Sequence, residues 1–133
     1  TEVIVASAHR TPGKVRDLVS SAEERGVGAF ISAAGAAAHL GGVIASYTTL
    51  PVIGVPINAT PLNGMDALLS TVQMPSGIPV ATMAINGAKN AAIFAVEMFA
   101  ISDENLKKAL KEYRAKMVEE VEAKAAKVAA QLN

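Results

Sequence analysis

Two histidines and an arginine beside one of them are the residues of this sequence best suited to chemistry. His9 and Arg10 lie in segment 7–12, Ser-Ala-His-Arg-Thr-Pro, between an apolar run and a proline typical of a helix start. An imidazole can give and take a proton near neutral pH, and a guanidinium can hold a phosphate or carboxylate through two parallel hydrogen bonds. The segment predicts an anion site with His9 as acid/base, or else a turn that the histidine only braces.

The second candidate surrounds His39 in segment 32–40, Ser-Ala-Ala-Gly-Ala-Ala-Ala-His-Leu. Small side chains let a ligand approach the backbone, but they also allow close packing of a helix on a sheet, and the residues alone leave both readings open. Two isolated histidines at this spacing do not form a metal-site pattern, so no metal is expected. The glycine motifs of dinucleotide and ATP sites and the serine elbow of hydrolases are absent from the sequence.

Short apolar runs alternate with helical periodicity, which predicts an α/β fold with a parallel sheet. Strands are predicted at 2–7, 29–33, 51–55 and 78–84, and helices at 37–46, 63–72 and 88–101. A further helix starts after Thr11 as N-cap and is expected to end at Gly26. Its predicted core face comprises Val15, Leu18, Val19 and Ala22.

The tail differs from the body in charge and period. Residues 26–88 carry one formally charged side chain, Asp66, whereas 103–127 hold 13 of the 24 charges. Apolar residues recur every three or four positions after Ser102, the expected N-cap, which predicts one amphipathic helix that packs on its own domain or a neighbouring subunit. The domains are therefore predicted as 1–101, an α/β catalytic domain, and 102–133, a C-terminal helix.

Composition limits the function classes. The 133 residues suit a single core, and the net charge of zero disfavours nucleic acid as a partner. Cysteine is absent, no leader is apparent, and Gly and Pro interrupt the apolar runs, so a cytoplasmic protein with no membrane partner is expected. A body with so few charges cannot solvate its surface well, which predicts a homo-oligomer.

Five ordered motifs resemble one family, the PurE family of N5-carboxyaminoimidazole ribonucleotide mutases of purine biosynthesis. The most diagnostic is segment 7–12, and the resemblance runs from about Val3 to about Met98. The motifs are Ser7-Ala-His-Arg-Thr-Pro12, Ala34-Gly35 with Ala38-His39-Leu40, Leu50-Pro-Val-Ile-Gly-Val-Pro56, Val72-Gln-Met-Pro75 with Gly77-Ile-Pro-Val80, and Ala84-Ile-Asn with Ala88-Lys-Asn-Ala91.

The resemblance implies a flavodoxin-like three-layer sandwich that forms an octamer and needs no metal or organic cofactor. It also implies a reaction in which the N5 carbamate loses carbon dioxide, which C4 of the same imidazole ribonucleotide then attacks. His9 matches the general acid/base and Arg10 a substrate-binding arginine. Ser7 and Ala8 match ligand-contacting turn positions, and Ala34, Gly35, His39 and Leu40 match the loop that encloses the carboxylate or carbon dioxide.

Three features depart from the family pattern. The family's first strand, Gly-Ser-x-Ser-Asp loop and first helix precede the point where this sequence starts, so a whole βα unit is expected to be missing from it. Ala36 stands where glycine is usual, and Gly41 where proline usually follows the His-Leu pair. The alternatives to a mutase are a related carboxylase that uses free carbon dioxide and a non-catalytic oligomeric scaffold or fragment.

Overall fold

Parallel strands and helices alternate along the chain in the computed structural model, which describes residues 1–132. The chain divides into one compact unit from Thr1 to Ile93 and a second from Phe94 onward. The three strands are β1 (Phe30–Gly35), β2 (Val52–Ile57) and β3 (Ala81–Thr82). The five helices are α1 (Pro12–Ser20), α2 (Leu40–Tyr47), α3 (Met65–Val72), α4 (Ala88–Phe99) and α5 (Glu104–Leu132).

The three strands form one parallel sheet in the order β1-β2-β3. β1 pairs with β2 along its whole length, from Phe30 opposite Val52 to Gly35 opposite Ile57, whereas β3 pairs only through Ala81 and Thr82. β2 is central and is buried from Val52 to Pro56, as expected of a parallel strand covered on both faces. The predicted α/β class, with its parallel sheet and long C-terminal helix, is confirmed.

The hydrophobic core of the first unit joins α1 and α2 to the sheet. Val15 and Val19 of α1 cluster with Ile44 and Ala45 of α2 and with Val52 of β2. The predicted core face of α1 is confirmed at its two valines and extends to buried Ala22 beyond the helix, while Leu18 is half-buried.

Close packing against β2 depends on a glycine. A Cβ atom at Gly54 would collide with the side chain of Thr71 on α3 and lie 2.9 Å from Cγ1 of Val80. Any larger residue would therefore push α3 and the chain before β3 away from the centre of the sheet.

Two of the predicted strands differ from the structure. Residues 2–7 form no strand, and Val3 and Val5 are 92% and 88% exposed, because no neighbouring strand pairs with this segment. The strand predicted at 78–84 shrinks to Ala81–Thr82, since Pro79 lacks the N–H that a ladder needs and the chain before it turns through Gly77 at φ 95°.

Several helix ends also differ from prediction: α3 begins at Met65 rather than residue 63, and α4 ends at Phe99 rather than residue 101. α1 ends at Ser20 rather than Gly26, because the chain continues in turns with bonds to the third residue back, such as that from the N–H of Ala22 to the carbonyl of Val19. α2 begins at Leu40 rather than residue 37. α5 is capped by Asp103 rather than Ser102, since Oδ1 of Asp103 accepts from the backbone N–H groups of Asn105 and Leu106.

The apolar stripe of α5 is largely uncovered in the single chain. Leu106, Leu110 and Tyr113 are half-buried, whereas Met117 and Val121 are 49% and 62% exposed. The packing of this stripe on its own domain or on a neighbouring subunit stays a prediction. Among residues 1–132, no helix combines the length and the apolar character needed to cross a membrane.

Candidate functional site

A cleft of about 470 Å³ opens at the carboxyl end of β1, where ligands of open α/β sheets bind. All eight residues singled out from the sequence line it, although segments 7–10 and 34–40 lie far apart in the chain. The lining consists of Ala6, Ser7, Ala8, His9, Arg10, Ala33, Ala34, Gly35, Ala36, Ala37, His39 and Leu40. The fold therefore joins the two candidate segments into one site.

Side-chain hydrogen bonds close the first wall of the cleft, the turn at residues 7–11, here called the histidine turn. Oγ1 of Thr11 accepts from the backbone N–H of Ser7 at 2.8 Å and donates to its carbonyl oxygen at 3.1 Å. Oγ of Ser7 accepts from the backbone N–H of Arg10 at 3.1 Å. These bonds fix the backbone on both sides of His9, so the His9 ring projects from a turn whose conformation is already fixed.

Backbone conformation and small residues make the second wall, residues 35–39, here called the alanine turn. Ala36 has a φ of 54°, in the left-handed region, and its carbonyl oxygen accepts from the Ser70 hydroxyl at 3.4 Å. A Cβ atom at Gly35 would lie 2.8 Å from the Cβ of Ala59, so this wall lies against the chain that follows β2. Residues 36–39 belong to no helix, and α2 starts only at Leu40.

The two histidines meet across the cleft. Nε2 of His9 lies 2.9 Å from Nδ1 of His39, and the ring planes are perpendicular with centroids 5.0 Å apart. His39 occupies the N-cap position of α2 but makes no capping bond with its side chain, which leaves the ring free to face His9. One hydrogen can lie between these two nitrogens, so one ring donates and the other accepts.

The charge of the cleft suits an anion. Arg10 contributes a formal positive charge, and no aspartate or glutamate is among the lining residues. Its guanidinium is exposed and has no hydrogen-bond partner in residues 1–132, so its donors are available to a phosphate or carboxylate. Within the same residues, no three His, Asp or Glu side chains are grouped so that they could hold a metal ion.

Sequence reasoning missed two features of this site. Thr11 was expected to cap α1, yet its hydroxyl binds Ser7 instead and makes no capping bond. The direct contact between His9 and His39 was also missed, because the two residues are 30 positions apart and only the sheet brings them together. The recurrence of Ser7 and Thr11 four positions apart around His9 was the available signal for the first feature.

Comparison with known proteins identifies the family. The AIR carboxylase family model matches residues 1–120 of the 133. The chain belongs to the AIR carboxylase family. Its relatives include the N5-carboxyaminoimidazole ribonucleotide mutases of Pyrococcus horikoshii, 54% identical over 93% of this chain and 70% of the relative, and of Methanocaldococcus jannaschii, 56% identical over 96% and 78%. The resemblance found in the motifs is thereby confirmed.

Longer proteins with a different name are also similar to this chain. The chloroplastic phosphoribosylaminoimidazole carboxylase of Vigna aconitifolia is 51% identical over 85% of this chain, which spans 20% of that protein. Proteins similar to this chain thus carry both the mutase and the carboxylase name.

Proposed function

We propose that this chain is an isomerase of de novo purine biosynthesis that moves the carboxylate of N5-carboxyaminoimidazole ribonucleotide from N5 to C4. The observation that carries the proposal is the shared cleft, which joins His9, Arg10 and His39 at the carboxyl end of β1. The mutase names of relatives more than half identical to this chain support the same reaction.

His9 is the proposed general acid/base. The departing carbamate leaves a nitrogen that must gain a proton, and C4 must lose one after it takes up carbon dioxide. A single imidazole can perform both transfers, because the proton that it gives to N5 leaves it ready to accept the proton from C4. Nδ1 of His9 has no hydrogen-bond partner in residues 1–132, so it is available to the substrate.

The other lining residues are proposed to bind the substrate and to enclose its transferred carboxylate. Arg10 is the proposed partner of an anionic group of the substrate, through its unpaired guanidinium. Ser7 and Ala8 supply the backbone of the histidine turn. Ala34, Gly35, His39 and Leu40 form the wall beside the transferred carboxylate, where apolar side chains keep water from the freed carbon dioxide. The proposed reaction uses neither a metal nor an organic cofactor.

We also propose that the chain forms a homo-oligomer in the cytoplasm, with the octamer implied by the family resemblance. Exposed apolar surface supports the proposed assembly. Leu62, Met65 and Leu69, on and just before α3, are 63%, 53% and 50% exposed. A single copy leaves this stripe in water, and a second copy would cover it. Light scattering of the purified chain measures the assembly, and a monomer at micromolar concentration would contradict this part of the proposal.

The activity test follows conversion of N5-carboxyaminoimidazole ribonucleotide to its C4-carboxylated isomer by absorbance, without bicarbonate or ATP. Turnover supports the mutase. Because relatives such as the Vigna protein carry the carboxylase name, a parallel assay offers aminoimidazole ribonucleotide with bicarbonate. Product in that assay alone would favour the carboxylase, and product in neither assay from a folded oligomer would favour a scaffold.

A further inference from the structure

We infer that His39 is a positioning residue whose Nδ1 accepts a hydrogen bond from Nε2 of His9, so that the reacting nitrogen of His9 is Nδ1. This inference rests on the proposed function. The geometry that carries it is the 2.9 Å separation between these two nitrogens, with the rings perpendicular.

The direction of this hydrogen bond follows from the role of His9. If His39 donated, neutral His9 would carry its hydrogen on Nδ1, and this remaining nitrogen could not accept a proton. If His9 donates from Nε2, its Nδ1 holds a lone pair and is a base. The proposed acid/base role therefore selects His9 as the donor.

The proton count is consistent through both halves of the reaction. Before the reaction His9 is an imidazolium, with Nε2–H bound to His39 and Nδ1–H facing the substrate. Nδ1 gives its proton to N5 as the N5–carboxylate bond breaks, and the lone pair left on Nδ1 later takes the proton from C4. The Nε2–H bond to His39 persists throughout, and it is stronger when His9 is charged.

The same arrangement assigns the remaining nitrogen of His39. A neutral ring that accepts at Nδ1 carries its hydrogen on Nε2. Nε2 of His39 has no partner in residues 1–132, so this N–H is available to a carboxylate in the cleft. One tautomer of His39 thus both steadies the charged form of His9 and offers a donor to the group that moves.

A matched pair of variants separates hydrogen bonding from shape. His39→Asn and His39→Leu both branch at Cγ, but only asparagine keeps an acceptor near the position of Nδ1. In the mutase assay, we expect kcat of His39→Leu to fall by about 10- to 100-fold, the effect of losing one hydrogen bond to a charged group. The kcat of His39→Asn is expected to stay well above that of His39→Leu, while KM rises in both because the Nε2–H donor is lost.

Nitrogen NMR tests the tautomer without any turnover. The chain has two histidines, so ¹⁵N-histidine labelling of the full chain and of His39→Asn assigns both rings. In the neutral form of His9, identified by separate ¹⁵N shifts for its protonated and unprotonated nitrogens, we expect the hydrogen on Nε2 and the lone pair on Nδ1. A hydrogen on Nδ1 of His9 would overturn the inference.

The outcomes distinguish this inference from the proposed function. If the parent chain turns over and His39→Asn is as slow as His39→Leu, the positioning role is wrong and the mutase proposal stands. If the folded parent oligomer shows no turnover with either substrate, the proposed function fails and the positioning role fails with it.

Discussion

The two turns that wall the cleft are held in different ways. The histidine turn is closed by hydroxyl groups, since Thr11 binds the N–H and carbonyl of Ser7, which in turn accepts from Arg10. The alanine turn has no such side chains of its own. It is held by close contact at Gly35 and by the hydrogen bond that the Ser70 hydroxyl donates to the carbonyl of Ala36, a left-handed residue.

This difference matches what each turn contributes. The histidine turn carries His9 and Arg10, and hydrogen bonds of hydroxyl groups hold their backbone while leaving the side chains at the surface. Apart from His39, the alanine turn presents backbone and methyl groups to the cleft. Substitutions in the first turn and at His39 should therefore affect turnover and binding, whereas those at Gly35 and Ala36 should affect stability first.

Removal of the acid/base is expected to have the largest effect. His9→Asn should lower kcat by about 10²- to 10⁴-fold, the usual contribution of general acid/base catalysis. The surface substitution Lys108→Asn on α5 serves as a control for handling and should leave kcat unchanged. Full activity of His9→Asn in the mutase assay would show that another group moves the proton.

Removal of the cationic side chain should have the next largest effect. Arg10→Gln is expected to lower kcat/KM by about 10- to 100-fold, mainly through KM, since it removes hydrogen bonds to a charged ligand group. Arg16→Gln is the matched control, because Arg16 is exposed on α1 outside the cleft and pairs with Asp17 at 2.9 Å. Equal effects of the two substitutions on kcat/KM would contradict the role of Arg10 in binding the substrate.

Gly35→Ala tests the packing of the alanine turn. The added Cβ would lie 2.8 Å from Cβ of Ala59 and 3.3 Å from the carbonyl oxygen of Ile57, and neither atom belongs to a flexible side chain. We expect a loss of about 1–3 kcal/mol in the free energy of unfolding, the range for overpacking a well-packed site.

Urea denaturation measures this loss, with Gly13→Ala as the control. A Cβ at Gly13, within α1, would meet nothing within 4 Å, and alanine is the better helix former. Gly13→Ala should therefore stabilise the chain. If Gly35→Ala did the same, close packing would not be what holds the alanine turn.

Thr11→Val tests the two hydrogen bonds of the Thr11 hydroxyl and changes the shape of the side chain little. It removes both hydrogen bonds of the Thr11 hydroxyl, keeps the one from the Thr11 backbone N–H to the Ser7 carbonyl, and leaves the N–H of Ser7 without its acceptor, so we expect a loss of about 1–2 kcal/mol in unfolding free energy. A several-fold fall in kcat should accompany it, because the turn that carries His9 loosens. Thr49→Val, at an exposed site away from the cleft, is the control and should change neither quantity. An unchanged kcat in Thr11→Val would show that the hydrogen bonds of the Thr11 hydroxyl only stabilise the fold.

The sequence was sufficient to locate the residues of the cleft and to predict two of the three strands of the sheet. Strong local signals marked β1, β2 and the end of α3, and the motifs around His9 and His39 identified residues that the fold brings into one cleft. Each of these predictions depended on residues close together in the chain, where period and capping rules apply.

The failures depended on contacts between distant residues. Segment 2–7 has the composition of a strand, but a strand exists only where another strand pairs with it. The alanine-rich segment predicts a helix from residue 37, yet the backbone is left-handed at Ala36, which alanine does not signal, and α2 starts only at Leu40. The contact of His9 with His39 likewise follows from the sheet and not from any local pattern.

Ala36→Gly should have the smallest effect, and in the opposite direction. A left-handed alanine costs about 1–2 kcal/mol, and glycine removes that cost but adds about 0.4–1 kcal/mol of backbone entropy in the unfolded chain. The net expectation is a gain of about 0.5–1 kcal/mol in unfolding free energy. Ala37→Gly, one position along, has no positive φ to relieve and should lose stability. If both substitutions destabilised the chain, the alanine turn would not be strained at Ala36, and the two walls of the cleft would differ in their bonding but not in how much strain they hold.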